Sequence, residues 1–297
     1  FMFIIFGSFL LRSGMGDFIV DLAHSLAGRF TGGAGLVAVI GSGLMGSVSG
    51  SAVANTVSTG VITIPMMKKS GFTARFSAGV VAAASTGGAL MPPIMGAGAF
   101  VLASYTSISY LTIIAASALP AVLYFLTVSY FVRIEAKRLG ITPTAQGDTE
   151  KLSDVFARGW HFIIPLAVLV GTLIAGRTPT SSAAFAIITV IGASWLSPTP
   201  MRLPDIFDAL VDGVKTMVFI ALLLVAVGIF INVITTTGVG NAFSLMIAEW
   251  AQGSLLITLV LVALASLVIG MGLPVTASYI VLIVLVGPAL TAEFGVP

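Results

Sequence analysis

Two small-residue strings hold most of the chemistry this sequence can do. The first reads Gly46-Ser47-Val48-Ser49-Gly50-Ser51-Ala52-Val53-Ala54-Asn55-Thr56, the second Gly270-Met271-Gly272-Leu273-Pro274-Val275-Thr276-Ala277-Ser278. Each lies between apolar arms of about 15 residues, whereas a spanning helix takes about 20. Each is therefore read as the tip of a re-entrant hairpin. Backbone that leaves the helix at membrane depth must be buried in protein or line a cavity. Its free carbonyls are hard oxygen donors, Gly lets them turn toward an ion, and Ser or Thr hydroxyls add ligands. That donor set suits Na+. Half-helix N-termini beyond the tips carry partial positive charge and can face an anionic substrate.

A third string follows the first hairpin: Ala84-Ser85-Thr86-Gly87-Gly88-Ala89-Leu90-Met91-Pro92-Pro93-Ile94-Met95-Gly96. A Gly pair followed by Pro-Pro breaks a helix in mid-membrane, so this segment is expected to face the first tip and complete one ion site. The matching break for the second tip would lie past Pro297, which leaves the second site incomplete. Gly- and Ser-rich membrane segments also serve plain helix packing. For any one Gly or Ser that is the ordinary reading. For the two tips as units, an internal repeat, described below, favours the ion-site reading.

Other motifs point to chemistry the sequence does not complete. Gly14-Met15-Gly16-Asp17 spells the GxGD string of intramembrane aspartyl proteases, but no second Asp lies in an apolar run and Asp21 is on the same segment. A helix cap at a turn is the expected role of Asp17. Ser47 and Ser49 resemble a serine-protease string without its first Gly. His24 and His161 fall near run ends and are expected to be interfacial. No His, Asp or Glu cluster spells a transition-metal site, and no ionisable residue sits securely in mid-span, where proton relays keep theirs. Neutral oxygens coordinating Na+ are therefore favoured over a proton path.

The elements that must position these strings are membrane helices. The 297 residues hold 13 Lys and Arg and 11 Asp and Glu, 8% charged against 58% hydrophobic. Soluble domains run at about 25% charged. That imbalance excludes a water-soluble enzyme, a nucleic-acid binder and a disordered chain, and the net charge of +2 is too small to attract polyanions. The class is all-α polytopic membrane protein. Apolar runs of spanning length are expected near 108–132, 160–176, 180–196 and 214–234, with shorter Gly-broken runs at 33–48, 52–67, 76–91, 93–104, 254–269 and 275–290. A polar loop runs from Arg133 to Arg158, and a short amphipathic helix carries Asp205, Asp208 and Asp212. Phe1 opens inside one apolar run and Pro297 follows another, so the sequence reads as an internal fragment. The cysteine-free chain gives no redox signal.

At an offset of 224, Phe6 matches Phe230, Gly14 Gly238, Gly16 Gly240, Ala27 Ala251, Ser42 Ser266, Gly46 Gly270 and Gly71 Gly295, with no gap. Lys68, Lys69 and Arg75, then Arg133, Lys137, Arg138, Lys151 and Arg158, then Arg202 and Lys215 gather on what is expected to be the cytoplasmic side, while 235–297 has no Lys or Arg. Five spans between the copies make the second copy inverted, the pattern of secondary transporters.

Ser49-Gly50-Ser51-Ala52-Val53-Ala54-Asn55, Ile64-Pro65-Met66-Met67-Lys68, Ala84-Ser85-Thr86-Gly87-Gly88 and Met91-Pro92-Pro93 together closely resemble the large membrane subunit of TRAP (tripartite ATP-independent periplasmic) transporters. The likeness is greatest to the fused-permease branch that works with TAXI-type receptors. It implies an inverted-repeat, elevator-type transporter with two re-entrant hairpins. It implies Na+-driven import of a small organic solute, chiefly a carboxylate such as a C4-dicarboxylate, with no enzymatic activity and no cofactor beyond Na+ as coupling ion. A periplasmic binding protein of TAXI type would deliver the solute, and a small membrane subunit or its fused equivalent would complete the complex, in a bacterial or archaeal cytoplasmic membrane. The first Na+ site would fall at Ser49, Gly50, Ser51, Asn55, Thr86, Gly87 and Gly88, and the second, incomplete, at Gly270, Gly272, Pro274 and Thr276. Pro92 and Pro93 would break the helix. Ser47, Ser51, Met91, Pro274 and Thr276 would face substrate. The expected division is a first transport-domain repeat at 1–105 (hairpin about 33–69, broken helix about 76–104), connecting and scaffold helices at 106–234 with the loop 133–158, and a second repeat at 235–297 (hairpin about 254–290). A receptor-independent Na+/dicarboxylate symporter is the alternative, and an intramembrane hydrolase a remote one.

Overall fold

A computed structural model describes residues 1–142, 151–196, 200–271, 273 and 275–294, and among them all regular structure is helical. Four helical stretches are long and apolar enough to cross a membrane: Met2–Ala27, Tyr110–Arg138, Leu152–Ile174 and Leu203–Thr237. Their outward faces are apolar. Leu222, Val225, Ile229 and Phe230 are all more than 60% exposed. Contiguous apolar surface on that scale suits lipid rather than water. Trp160, Trp195 and Trp250, all at least half exposed, stand near helix ends, where interfacial aromatics belong.

The chain forms two compact units. One comprises Phe1–Gly96 and Ser109–Thr216, the other Ala97–Ile108 and Met217–Pro297. In the first unit, α1 (Met2–Leu10) runs through a π-type turn at Leu11–Met15 into α2 (Gly16–Ala27). Then come α3 (Gly33–Ser49), α4 (Ala52–Lys69) and α5 (Ala74–Gly88). α3 packs against α2, α4, α5 and the long helix α7 (Tyr110–Arg138). The shared core is small and tight: Ala23, Ala27, Ala34, Val37, Ala38 and Val39 meet Val81, Ala84, Val132 and Ala136. Side chains of this size let backbones approach closely, the usual basis of helix association in lipid. Further on, α8 (Leu152–Gly159) lies on α2, and α9 (Ile163–Ile174) packs on α10 (Pro179–Ser194), which also meets α1. The helix starts follow sequence rules. Ser51, Thr73, Ser109 and Thr178 each accept a backbone N–H in the first turn with a side-chain oxygen, and Pro179 takes the first helical position.

The second unit holds α6 (Ala97–Thr106), the latter part of α11 (Leu203–Thr237), α12 (Val239–Ala251), α13 (Leu255–Gly270) and α14 (Val275–Phe294). Its helices repeat those of the first. Shifted back by 224, α12, α13 and α14 cover 15–27, 31–46 and 51–70, against 16–27, 33–49 and 52–69 for α2, α3 and α4. The backbone repeats too. Gly14 and Gly238 both take a left-handed conformation, φ 96° and 72°, where the chain turns into α2 and α12. Only Gly holds that conformation without a Cβ penalty.

Four expectations change. The run at 180–196 forms a helix of 16 residues, Pro179–Ser194, about 24 Å at 1.5 Å per residue and short of a bilayer core. The amphipathic segment around Asp205–Asp212 is not a separate helix. Only Gly213, which a helix tolerates, stands between it and the apolar run, so α11 is continuous over 35 residues. Asp17 caps nothing: it lies in the first turn of α2, past the kink at Gly14, where no side chain caps the helix start, and it is exposed. His161 is buried against Phe162, 4.1 Å between ring centroids, rather than interfacial.

Inside the first unit a polar ladder joins α3 to α4. Ser42 Oγ and Thr59 Oγ1 share a hydrogen bond of 2.9 Å, and both residues are fully buried. Thr59→Val keeps the shape and removes this bond. Interhelical hydrogen bonds in membrane proteins average about 0.6 kcal/mol and reach about 1.7, so the variant is expected to lose roughly that much stability in detergent-based thermal denaturation. No shift in melting temperature would place the α3–α4 contact in apolar packing alone.

Candidate functional site

α3 and α4 form an antiparallel pair joined by a two-residue tip. Gly50 ends α3 with φ 63°, and Ser51 starts α4 in extended backbone. The tip is fixed by its own polar groups. Ala54 N–H donates to Ser51 Oγ at 3.3 Å, Ser51 N–H reaches Ser49 Oγ at 3.5 Å, and Gly50 N–H donates to Gly46 O at 2.9 Å.

The C-terminal end of α5 crosses this pair. A Cβ on Gly46 would stand 2.5 Å from Gly88 Cα and 2.8 Å from Asn55 Nδ2. A Cβ on Gly88 would stand 2.7 Å from Gly46 Cα and 3.0 Å from Ser42 O. Two backbones touch here with no side chain between them. After α5 the helix stops, and residues 89–96 fold back so that Gly96 N–H donates to Ala89 O at 2.8 Å. The fold-back lies over the tip. A Cβ on Gly50 would meet Met95 O at 2.6 Å, and one on Gly96 would meet Gly50 O at 3.2 Å. The tip and the break expected to partner each other are therefore in contact.

At the centre of the crossing is Asn55, fully buried on the first turn of α4. Its Nδ2 donates to Ser42 O at 2.7 Å. Because a carbonyl can only accept, this bond fixes which way the amide points. Asn55 Oδ1 is then left buried with no hydrogen-bond partner. Ser85 Oγ, also fully buried on α5, is likewise unpartnered. A buried acceptor without a donor costs about 1–3 kcal/mol, and such groups call for an ion, a water or another explanation.

The expected site residues are thus partly assembled. Ser49, Gly50, Ser51, Asn55 and Gly88 meet at the tip and the crossing. Thr86 Oγ1 donates to Ala82 O at 2.9 Å, on an exposed position. Gly87 faces α7, where a Cβ would overlap the Tyr124 ring. Pro92 and Pro93, joined by a cis bond, lie in the break. Met91 is half-buried there, and Ser47 is buried with its hydroxyl on Leu44 O at 2.7 Å. In the second copy, Gly270 ends α13, and nothing among the described residues lies within 4 Å of where its Cβ would be. Gly272, Pro274 and the Thr276 side chain fall outside the described residues. The repeat position of Asn55 is Tyr279, so the two tips differ in their first-turn donor. Ser42 and Gly46 were not on the expected list, although the repeat pairs them with Ser266 and Gly270. That pairing was the signal for them. Among the described residues no group of three His, Asp or Glu is placed to hold a metal. Asp17 and Asp21 are both exposed.

A family model described as the DctM component of the tripartite ATP-independent periplasmic transporter matches residues 1–296. The chain is 25% identical over 295 residues to the 2,3-diketo-L-gulonate TRAP transporter large permease protein of Escherichia coli, covering 99% of this chain and 68% of that one. It is 26% identical over 249 residues to the C4-dicarboxylate TRAP transporter large permease protein of Pseudomonas aeruginosa, covering 83% and 58%. It is 28% identical over 229 residues to the sialic acid TRAP transporter permease protein of Haemophilus influenzae, covering 77% and 37%. The chain thus spans between about two fifths and two thirds of these relatives' lengths.

The two contacts at the site differ in kind, and substitutions separate them. At Gly46 an added methyl meets backbone, which cannot step aside. At Gly87 it meets a side-chain ring. Gly46→Ala and Gly87→Ala are both expected to destabilise by about 1–3 kcal/mol or more through overpacking. Only Gly87→Ala should be relieved by Tyr124→Ala, the double variant losing less than the sum of the singles. Thermal denaturation of the four variants measures this, and strict additivity at Gly87 and Tyr124 would contradict the contact.

Proposed function

Because the chain belongs to the DctM-component family of tripartite ATP-independent periplasmic (TRAP) transporters, we propose that it is the large membrane subunit of a Na+-coupled importer of a small organic carboxylate. The observation that carries the ion coupling is Asn55 Oδ1. It is a neutral oxygen, buried, oriented by its own amide's bond to Ser42 O, and without a partner at the crossing of α3, α4 and α5. Next to it, the helix ends at Gly50 and Gly88 supply carbonyl-rich backbone. Neutral oxygens of this sort hold a hard monovalent cation without the buried counter-charge that a proton relay would need. Bound Na+ would satisfy Asn55 Oδ1 and draw the tip and the break together. Site closure would then depend on the ion.

The carboxylate reading rests on the relatives. C4-dicarboxylates, 2,3-diketo-L-gulonate and sialic acid each carry a carboxylate, and each appears in the name of a relative. The N-terminus of α4, beginning at Ser51, presents a helix-dipole positive end suited to such a group. In the proposed mechanism the repeated hairpins, inverted relative to each other, move as an elevator past scaffold helices. A periplasmic receptor of TAXI type delivers the solute, and a small membrane subunit or its fused equivalent completes the complex in the cytoplasmic membrane. The division into a first repeat at 1–105, a connecting and scaffold region at 106–234 and a second repeat from 235 onward belongs to the same proposal. So does the second ion site at Gly270, Gly272, Pro274 and Thr276.

Proteoliposomes holding the full permease with its small subunit test the reading, with candidate carboxylates supplied on the periplasmic receptor. Uptake is expected to follow an inward Na+ gradient and to fall to background when choline replaces Na+. Asn55→Ala should raise the half-activating Na+ concentration by about tenfold or more, the effect of losing one charge-assisted contact of about 1.5–3 kcal/mol. Equal uptake in choline would refute ion coupling. Equal uptake without receptor would favour a receptor-independent symporter.

A further inference from the structure

The ion-site reading leaves open what holds α5 and the break against the hairpin, and the structure offers two tyrosines of one helix. Tyr124 of α7 donates its hydroxyl to Ala83 O at 2.9 Å. That carbonyl is one helical turn before Gly87, and Tyr124 occupies the space a Gly87 side chain would fill. The next residue, Phe125, does the same on α3. Its ring lies where a Cβ on Gly43 would be 2.8 Å away, next to Ser42. Tyr124 and Phe125 therefore pack against α5 and α3 within one helical turn of the Gly46–Gly88 crossing. At the start of α7, Tyr110 is buried and its hydroxyl meets the break itself, 2.5 Å from Ile94 O and 3.2 Å from Pro93 O. Its ring rests edge-on against Phe3 of α1, 5.7 Å between centroids.

Residues 110 and 124 both belong to α7, with Pro120 between them. One helix thus holds the polypeptide on both sides of the helix break, before Gly88 and after Pro92. A hydroxyl bonded to a main-chain carbonyl fixes backbone position, which is what carbonyl ligands to an ion require. We propose that Tyr110 and Tyr124 are positioning residues of the ion site, acting through Pro93, Ile94 and Ala83 and touching neither ion nor solute. The proposal rests on the Na+ reading above.

Tyr110→Phe and Tyr124→Phe keep the rings and remove only the hydroxyls. In the same proteoliposome system, uptake is measured against Na+ for wild type, both variants and Asn55→Ala. A net hydrogen bond of about 0.5–1.5 kcal/mol corresponds to a change of about 2- to 12-fold. Each Tyr→Phe is therefore expected to raise the half-activating Na+ concentration by that factor, while half-saturation by loaded receptor at saturating Na+ stays put. If the Tyr variants melt earlier but keep the wild-type Na+ response while Asn55→Ala loses it, the tyrosines are structural only and the positioning role is overturned. If wild type itself ignores Na+, the ion reading fails and takes this proposal with it.

Discussion

The contact between Gly46 and Gly88 is the constraint on which the rest of the first unit depends. In a membrane, apolar side chains gain little by leaving lipid for protein, so helices associate through close packing and internal polar bonds. Here the approach is backbone to backbone, with Gly88 Cα where a Gly46 side chain would begin. The approach brings the end of α5 onto the hairpin, encloses Asn55 and sets the fold-back at 89–96 against the tip at Gly50. The small-residue core of α2 to α5 and α7 is the same solution repeated outward.

A polar interior in lipid must satisfy its own groups. Most of this one does. Ser42, Thr59, Thr63 and Asn55 are chained by hydrogen bonds from side chain to side chain or to the preceding turn. The exceptions among the described residues are Asn55 Oδ1, the hydroxyls of Ser25, Ser85 and Ser182, and His161 Nε2; Asn55 is the one at the crossing of α3, α4 and α5. Asn55 lies where α3 and α5 end and α4 begins, so backbone carbonyls released from helical bonding are close by. Long-range charge plays little part. The ion pairs Arg12 with Asp208 and Arg158 with Asp21 are largely exposed, at the periphery of the unit, where such pairs contribute little.

Much of this was legible in the chain. Low charge and long apolar runs declared membrane helices. Gly50-Ser51 and Gly87-Gly88 followed by Pro92-Pro93 marked the two places where helices end. The offset of 224 gave helix boundaries that agree to within three residues in the two units, and it paired two left-handed glycines, Gly14 and Gly238. Other features were not legible. The continuity of α11 was hidden because charged Asp205–Lys215 reads as a short amphipathic helix of its own, although nothing in it stops the helix from running on. Burial of His161 was hidden because, although Phe162 is its neighbour in sequence, the ring of Phe18 on α2 reaches Phe162 only through packing.

Sequence by itself determined where helices end, since Gly, Pro and capping Ser or Thr act locally, within a turn. It also determined the membrane class, which is a matter of composition. Only the tertiary structure decided which residue of each pair faces which neighbour. Gly87 and Gly88 are equivalent as letters, but one helical step is 100°. That rotation turns Gly87 to Tyr124 on α7 and Gly88 to Gly46 and Asn55 on the hairpin. Thr86, one step earlier, is turned outward with its hydroxyl on Ala82 O. Tyr110 and Tyr124, ordinary aromatics in an apolar run, acquired partners 16 to 41 positions away only when α7 packed onto α5 and the break.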